Sequence, residues 1–427
     1  MVSVSTPVRP QFAARRLGRI AWLVPVVLIA VCGYWLLHPS WPLTPIKREF
    51  IDLQVYRLGV QAMWHGADMY GTLPKTTLGI GLPFIYPPFA ALALSPFAML
   101  PWHPAAVSFF VVSTLALAVT LYLAVRRLWS GGLEPALWAT ACALPLGMLL
   151  EPVHSTLDFG QVNMLLMVLV AADCLARRPK WPRGMLIGIA AAIKLTPAAF
   201  VLYFLVRRDY RAAGTAAVTG AVATGLAYAV LPRESTRYWL GGMGNVSGLS
   251  GSAFHTNQSI QGVLSRLRVP EPTFTLLWLV FSAALLALVV AAMRQAADNP
   301  PLAMSFNAVF TLLVSPISWS HHWVWIAPAL LAAVGAATRL PLRTAAWWYL
   351  LVLGAAVVFV IGPQNWEPGE NNREFAWTPW QHVIGNTYVW LSVLLVVLYV
   401  VAGPKPATRE PLLPIPLREL RSRYLKS

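Results

Sequence analysis

Polar stretches interrupt an otherwise apolar chain, and their residues are those of acid–base and anion chemistry. Asp52 stands in "KREFIDLQVY", residues 47–56, just beyond the first long apolar run. A carboxylate partly shut off from water has a raised pKa and becomes a better proton acceptor near neutral pH. Lys194, inside "AAAIKLTPAAF", is the sharpest physical anomaly, because an ammonium within a membrane segment is costly unless it is paired or reaches water. His321 and His322 adjoin in "SPISWSHHW"; on a helix they point about 100° apart, so only one can easily face a given ligand. Further stretches are "FIYPPFA" (84–90), "EPVHSTLDFGQVN" (151–163) and "FHTNQSIQGVLSRL" (254–267). The amides of Gln161, Asn163, Asn257 and Gln258 donate and accept hydrogen bonds. Asp158 offers a second carboxylate, and Arg266 and Arg268 fixed positive charge.

The elements that must position these groups are membrane helices. The chain has 427 residues, 57% hydrophobic and 11% charged, which cannot make an ordinary soluble core and shell. The expected class is all-α, a polytopic integral membrane protein. Apolar runs near 20–37, 106–125, 136–150, 161–176, 213–231, 273–293, 301–317, 323–338, 346–361 and 383–402 approach the length that crosses about 30 Å of hydrocarbon. Runs 84–101 and 184–206 carry prolines and read as segments that enter and return on one side, the second broken at "KLTP". About 10–13 transmembrane helices result. A net charge of +16 would suggest nucleic acid in a soluble protein. Here the charges cluster at Arg126 and Arg127, from Arg177 to Arg183, from Arg207 to Arg211, at Arg339 and Arg343 and along the tail, and so mark a cytoplasmic side. The organisation expected is a basic cytoplasmic N-terminus over 1–19, a membrane-embedded domain over 20–402 and a cytoplasmic Pro-rich basic tail over 403–427. The first apolar run lacks a small-residue cleavage site and reads as an anchor. Cys32, Cys142 and Cys174 lie in apolar runs, so no disulfide is expected. No phosphate-binding glycine loop and no metal-spaced Cys/His cluster is present, and no nucleic-acid partner is expected.

In order, Asp52 with "VYRLGVQAMWHGADMYG", then "YPPF", "GQVN", "KLTP", "NQSIQGVLSR" and "SPISWSHHW", resemble the membrane-embedded GT-C glycosyltransferases of family 87. The resemblance implies a polyprenyl-phosphate-mannose donor, a phosphatidylinositol mannoside or lipomannan acceptor and α-1,2 transfer at the periplasmic face of the plasma membrane. No cofactor is expected, and no Asp-x-Asp dyad on an outer loop suggests a metal; the acceptor mannose, the number of sugars added, metal dependence and the oligomeric state stay open.

Inverting transfer from a lipid phosphate to an alcohol needs a base, stabilisation of the leaving phosphate and room for an oxocarbenium-like state. Asp52 is the candidate base; the alternative is an N-cap of an interfacial helix. His321, ahead of His322, either polarises a substrate or sits in an aromatic belt. Lys194 and Arg266 are candidates for the donor phosphate, with Lys194 otherwise paired to Asp158. Tyr86, Asp158, Gln161, Asn163, His255, Asn257 and Gln258 are candidates for sugar and acceptor contact, or else helix caps and interhelical bonds. Other readings are a polyprenyl-phosphate-arabinose donor and a lipid-linked sugar flippase.

Overall fold

A computed structural model describes residues 18–37, 49–129, 132–241, 251–369 and 371–404. Most of the expected N-terminal segment and tail lie outside the described residues. Among the described residues there is no strand, only one isolated antiparallel bridge between Asn257 and Trp319. Helices Trp102–Leu128, Tyr210–Val230 and Thr273–Gln295 and the run Leu342–Trp366 are long and apolar enough to cross a bilayer. Two bent pairs, Leu133–Met148 with Glu151–Phe159 and Pro379–Gly385 with Thr387–Ala402, turn by 76° and 69°. Shorter apolar helices such as Asn163–Leu175 and Pro300–Val314 complete the bundle. Leu276, Leu279, Val280, Leu350 and Leu353 are exposed on two of the long helices, as lipid-facing positions of a multi-pass membrane protein are.

Helix Trp102–Leu128 gauges depth. Its 27 residues rise about 40 Å at 1.5 Å per residue. Near one end Trp102 meets the Phe50 ring, centroids 6.4 Å apart, and lies under the Arg57 guanidinium. Near the other end Arg127 reaches the carbonyls of Leu175 and Ala176 at 2.5 and 3.2 Å. Helix Asn163–Leu175 packs alongside and, with 13 residues, spans only about 18 Å. Asn163 therefore sits near the middle of the crossing.

The segment 184–206 is the expected broken hairpin. Helix Met185–Ile193 stops at Lys194, which is extended at φ −147° and ψ 130°, and the chain returns through Thr196–Phe200 and Val201–Val206. Arg183 and Arg207, at its two ends, line the same recess, so both feet stand on one side. Gly188 seats the hairpin: a Cβ there would come within 2.5 Å of the Ala216 carbonyl oxygen and 2.7 Å of the Gly220 nitrogen. Only glycine permits backbones this close. Nine helical residues lift Lys194 about 13 Å from the feet, to the level of Asn163. Lys194 and Asn163 thus meet where two half-length helices end.

Candidate active site

Asp52 enters on helix Ile51–Trp64, and the expected alternative of an N-cap does not hold. The cap position is Phe50, in the left-handed region at φ 47° and ψ 42°, and Asp52 lies inside the first turn. A left-handed non-glycine residue is strained by roughly 1–3 kcal/mol and persists only where its surroundings hold it. The Phe50 N–H donates to the Asp158 carbonyl at 2.9 Å. Gly160, left-handed at φ +64°, brings the two segments together, since a Cβ there would meet Leu53 Cβ at 2.9 Å.

That approach sets Gln161 against Asp52. The Gln161 side-chain oxygen accepts from Tyr86 Oη at 2.9 Å, from the Val162 N–H at 3.1 Å and, closer still, from Tyr56 Oη. A backbone N–H can only donate, so the amide orientation is assigned. Its nitrogen is left to hydrogen-bond the Asp52 carboxylate. Asp52 is half-buried as a residue, but its carboxylate is turned into this network. Burial pushes its pKa up to about 6, against the opposing pull of Lys194 and Gln161.

Lys194 Nζ donates to Asn163 Oδ1 at 3.2 Å and lies 3.4 Å from His322 Nε2. It also sits 5.5 Å from the Tyr86 ring centroid. The Asp52 carboxylate acts on its charge. The Asn163 amide nitrogen donates to the His321 carbonyl at 2.9 Å, and Thr156 Oγ1 donates to the same oxygen at 2.5 Å. The histidine turn is thereby pinned to helices Glu151–Phe159 and Asn163–Leu175. The two rings stand at 89°, centroids 4.8 Å apart. It is His322, not the His321 expected to lead, that reaches Lys194. His321 Nε2 is buried with no hydrogen-bond partner among the described residues.

The remaining expected residues form a second cluster. Arg266 is 1% exposed. Its Nε and Nη2 donate to Asn386 Oδ1 at 2.9 and 2.6 Å, Nη2 also to the Asn257 carbonyl at 2.9 Å, and Nη1 to the carbonyls of Ala253 and Phe254 at 3.2 and 3.0 Å. A guanidinium has five N–H groups, and all five are engaged. The donor-phosphate role expected of Arg266 has no donor left to it. Gln258 donates to the carbonyls of His255 and Gly385 at 2.8 and 2.7 Å. Asn257 Oδ1 accepts from the Ser318 N–H at 2.9 Å. The His255 N–H donates to buried Glu374 at 3.1 Å. These residues brace residues 316–319, the strand-like approach to the histidine pair, and do not join Asp52 and Lys194. Arg268 lies over the Phe375 ring at 5.0 Å.

Sequence reasoning missed Tyr56 and Glu151, both quoted within motifs but given no role. Glu151 is 3% exposed and accepts from Ser155, Ser320 and Tyr388 at 3.0, 2.9 and 2.9 Å. It ties the residue before the histidines to two other helices. A lone acid beside an apolar run was the available signal.

The chain matches glycosyltransferase family 87 over residues 84–316. It is similar to the polyprenol-phosphate-mannose-dependent alpha-(1-2)-phosphatidylinositol mannoside mannosyltransferase of Mycolicibacterium smegmatis, 37% identical over 93% of this chain and 94% of that one. It is also similar to the protein of that name in Mycobacterium tuberculosis, 36% identical over 91% and 92%. To the corresponding pentamannoside mannosyltransferase of Mycobacterium tuberculosis it is 32% identical over 82% and 83%. With its sunken acid, base and amide site and this likeness along nearly its whole length, the chain is an enzyme that belongs to glycosyltransferase family 87.

Proposed function

We propose that the enzyme transfers mannose from polyprenol-phosphate-mannose to a phosphatidylinositol mannoside or lipomannan acceptor, in α-1,2 linkage with inversion, at the periplasmic face of the plasma membrane. The observation that carries this is the Asp52 carboxylate, bonded by Gln161, in one site with the Lys194 ammonium that Asn163 and His322 hold, an arrangement suited to a lipid phosphate whose tail stays in hydrocarbon. The names of the relatives supply the sugar and the acceptor class. Asp52 takes the proton of the acceptor hydroxyl as its oxygen bonds to sugar C1. The bond from C1 to the phosphate oxygen breaks, and its electron pair leaves with the phosphate. Lys194 and His322 offset the charge that gathers there. His321 Nε2 is free to bond a sugar hydroxyl or the phosphate. Tyr86 and Asn163 line the sugar's side. The reading assigns a GT-C architecture, and no metal or cofactor.

The test is purified protein in nanodiscs with polyprenol-phosphate-mannose and a short mannoside acceptor. Formation of an α-1,2-linked product supports the reading and excludes a flippase. Product from the arabinose donor alone overturns the mannose assignment.

A further inference from the structure

At the end of the bundle away from Asp52, three arginines from three segments converge on one recess. Arg127 ends helix Trp102–Leu128, Arg183 precedes the hairpin and Arg207 follows it, and together with Tyr203, Cys174 and Asp209 they border a cavity of about 230 Å³. The guanidiniums are close enough for Arg183, Arg207 and nearby Arg177 to act on the charge of Arg127. Each is held on one edge by carbonyls: Arg127 as given above, Arg183 by Asp173 and Ala176 at 2.5 and 2.8 Å, and Arg207 by Ala297 at 3.1 Å. No hydrogen bond engages Arg127 Nη1, Arg183 Nε, or Arg207 Nε and Nη2 among the described residues. Of the two nearby carboxylates, Asp209 itself lines the recess and Asp173 is buried, and each is engaged by other donors. Asp209 caps the next helix by accepting from the Ala212 N–H at 3.1 Å, and Asp173 accepts from Trp181 and the Ile187 N–H at 2.8 and 2.9 Å. Among the described residues none of the three forms an ion pair.

Like charges drawn together in a half-closed recess repel strongly unless an anion joins them. Snorkelling alone would splay such side chains outward, one to each patch of headgroups; here Arg127 and Arg183 are half-buried and both reach the Ala176 carbonyl. We propose that this recess binds a phosphate group, the headgroup phosphate of an anionic phospholipid or a free phosphate compound. Arg183 and Arg207 are the two feet of the hairpin whose tip carries Lys194, and Arg127 belongs to the long helix beside them. A phosphate shared by all three clamps both feet to that helix and steadies Lys194 from below. The site stands apart from the transfer reaction, so its test needs no turnover.

The full chain is placed in nanodiscs of phosphatidylcholine alone, or with phosphatidylglycerol, or with inorganic phosphate added to the neutral lipid. Melting temperature and phospholipid retained on extraction are measured for the native protein and for Arg127→Gln, Arg183→Gln and Arg207→Gln. Expected is a rise in melting temperature for the native protein with one anion source, and binding about fivefold weaker for each arginine removed. A rise with phosphatidylglycerol alone identifies the headgroup, and a rise with inorganic phosphate as well identifies the free anion. Arg207 is exposed and holds a single carbonyl, so Arg207→Gln keeps the fold if the others lose it. No rise with either source, or an equal rise in Arg207→Gln, overturns the proposal.

Discussion

Replacing Asp52 with Asn separates catalysis from folding. The substitution keeps size and a hydrogen-bonding amide but removes the proton acceptor. General-base catalysis contributes about 10²–10⁴-fold, or about 3–5 kcal/mol of barrier at 1.36 kcal/mol per tenfold. Stability moves the other way. The carboxyl rises from 3.8 to about 6 on burial, so the folded protein holds its proton to higher pH than the unfolded chain does. Stability is therefore lost as pH rises from about 4 to about 6, and the loss is flat above that. Two units correspond to at most about 3 kcal/mol, less for a half-buried side chain. Asn escapes this cost but gives up a favourable charge in the first helical turn, about 0.3–1 kcal/mol. At pH 7.5 Asp52→Asn should thus melt no lower than the native protein, and the gap in its favour should open between about pH 4 and pH 6. Initial rates with donor and acceptor, beside melting curves in nanodiscs across that range, measure both. Turnover within threefold of native would refute the base assignment, and a variant that melts lower at pH 7.5 would refute the burial.

The native pH–rate profile should lose activity as pH falls through about 6, where Asp52 takes up its proton; kcat/KM unchanged down to pH 5 would exclude it as the titrating base. Gln161→Leu should lower turnover and move that acidic limb upward, because the amide bond to the carboxylate favours its charged form; an unmoved limb would mean that Gln161 does not orient Asp52. In Lys194→Ala the KM for the lipid-phosphate donor should rise with acceptor KM little changed, and an unaltered donor KM rejects the phosphate role. A cysteine placed at Gly251 should react with an impermeant maleimide outside intact cells while one at Arg208 stays unlabelled; the reverse pattern would turn the site to the cytoplasm.

Hydropathy and charge alone determined the membrane class, the break at "KLTP" and the anomaly of Lys194. Each is a property of a short segment facing one solvent, and lipid prices every polar residue in that segment whatever lies elsewhere in the chain. The ordered motifs likewise carried the family. Tertiary structure decided which polar groups meet. Arg266, Asn257 and Gln258 look as reactive in sequence as Lys194 and Asn163, yet backbone carbonyls and Asn386, 120 residues from Arg266, engage all five donors of that arginine. The choice of His322 over His321 beside Lys194 follows from a tight turn pinned by Thr156 and Asn163, 165 and 158 residues away. The depth of the site follows from two half-length helices meeting, which run lengths cannot foretell. Whether a polar side chain serves chemistry or scaffolding depends on which partners the fold brings within about 3 Å, and those partners are distant in sequence.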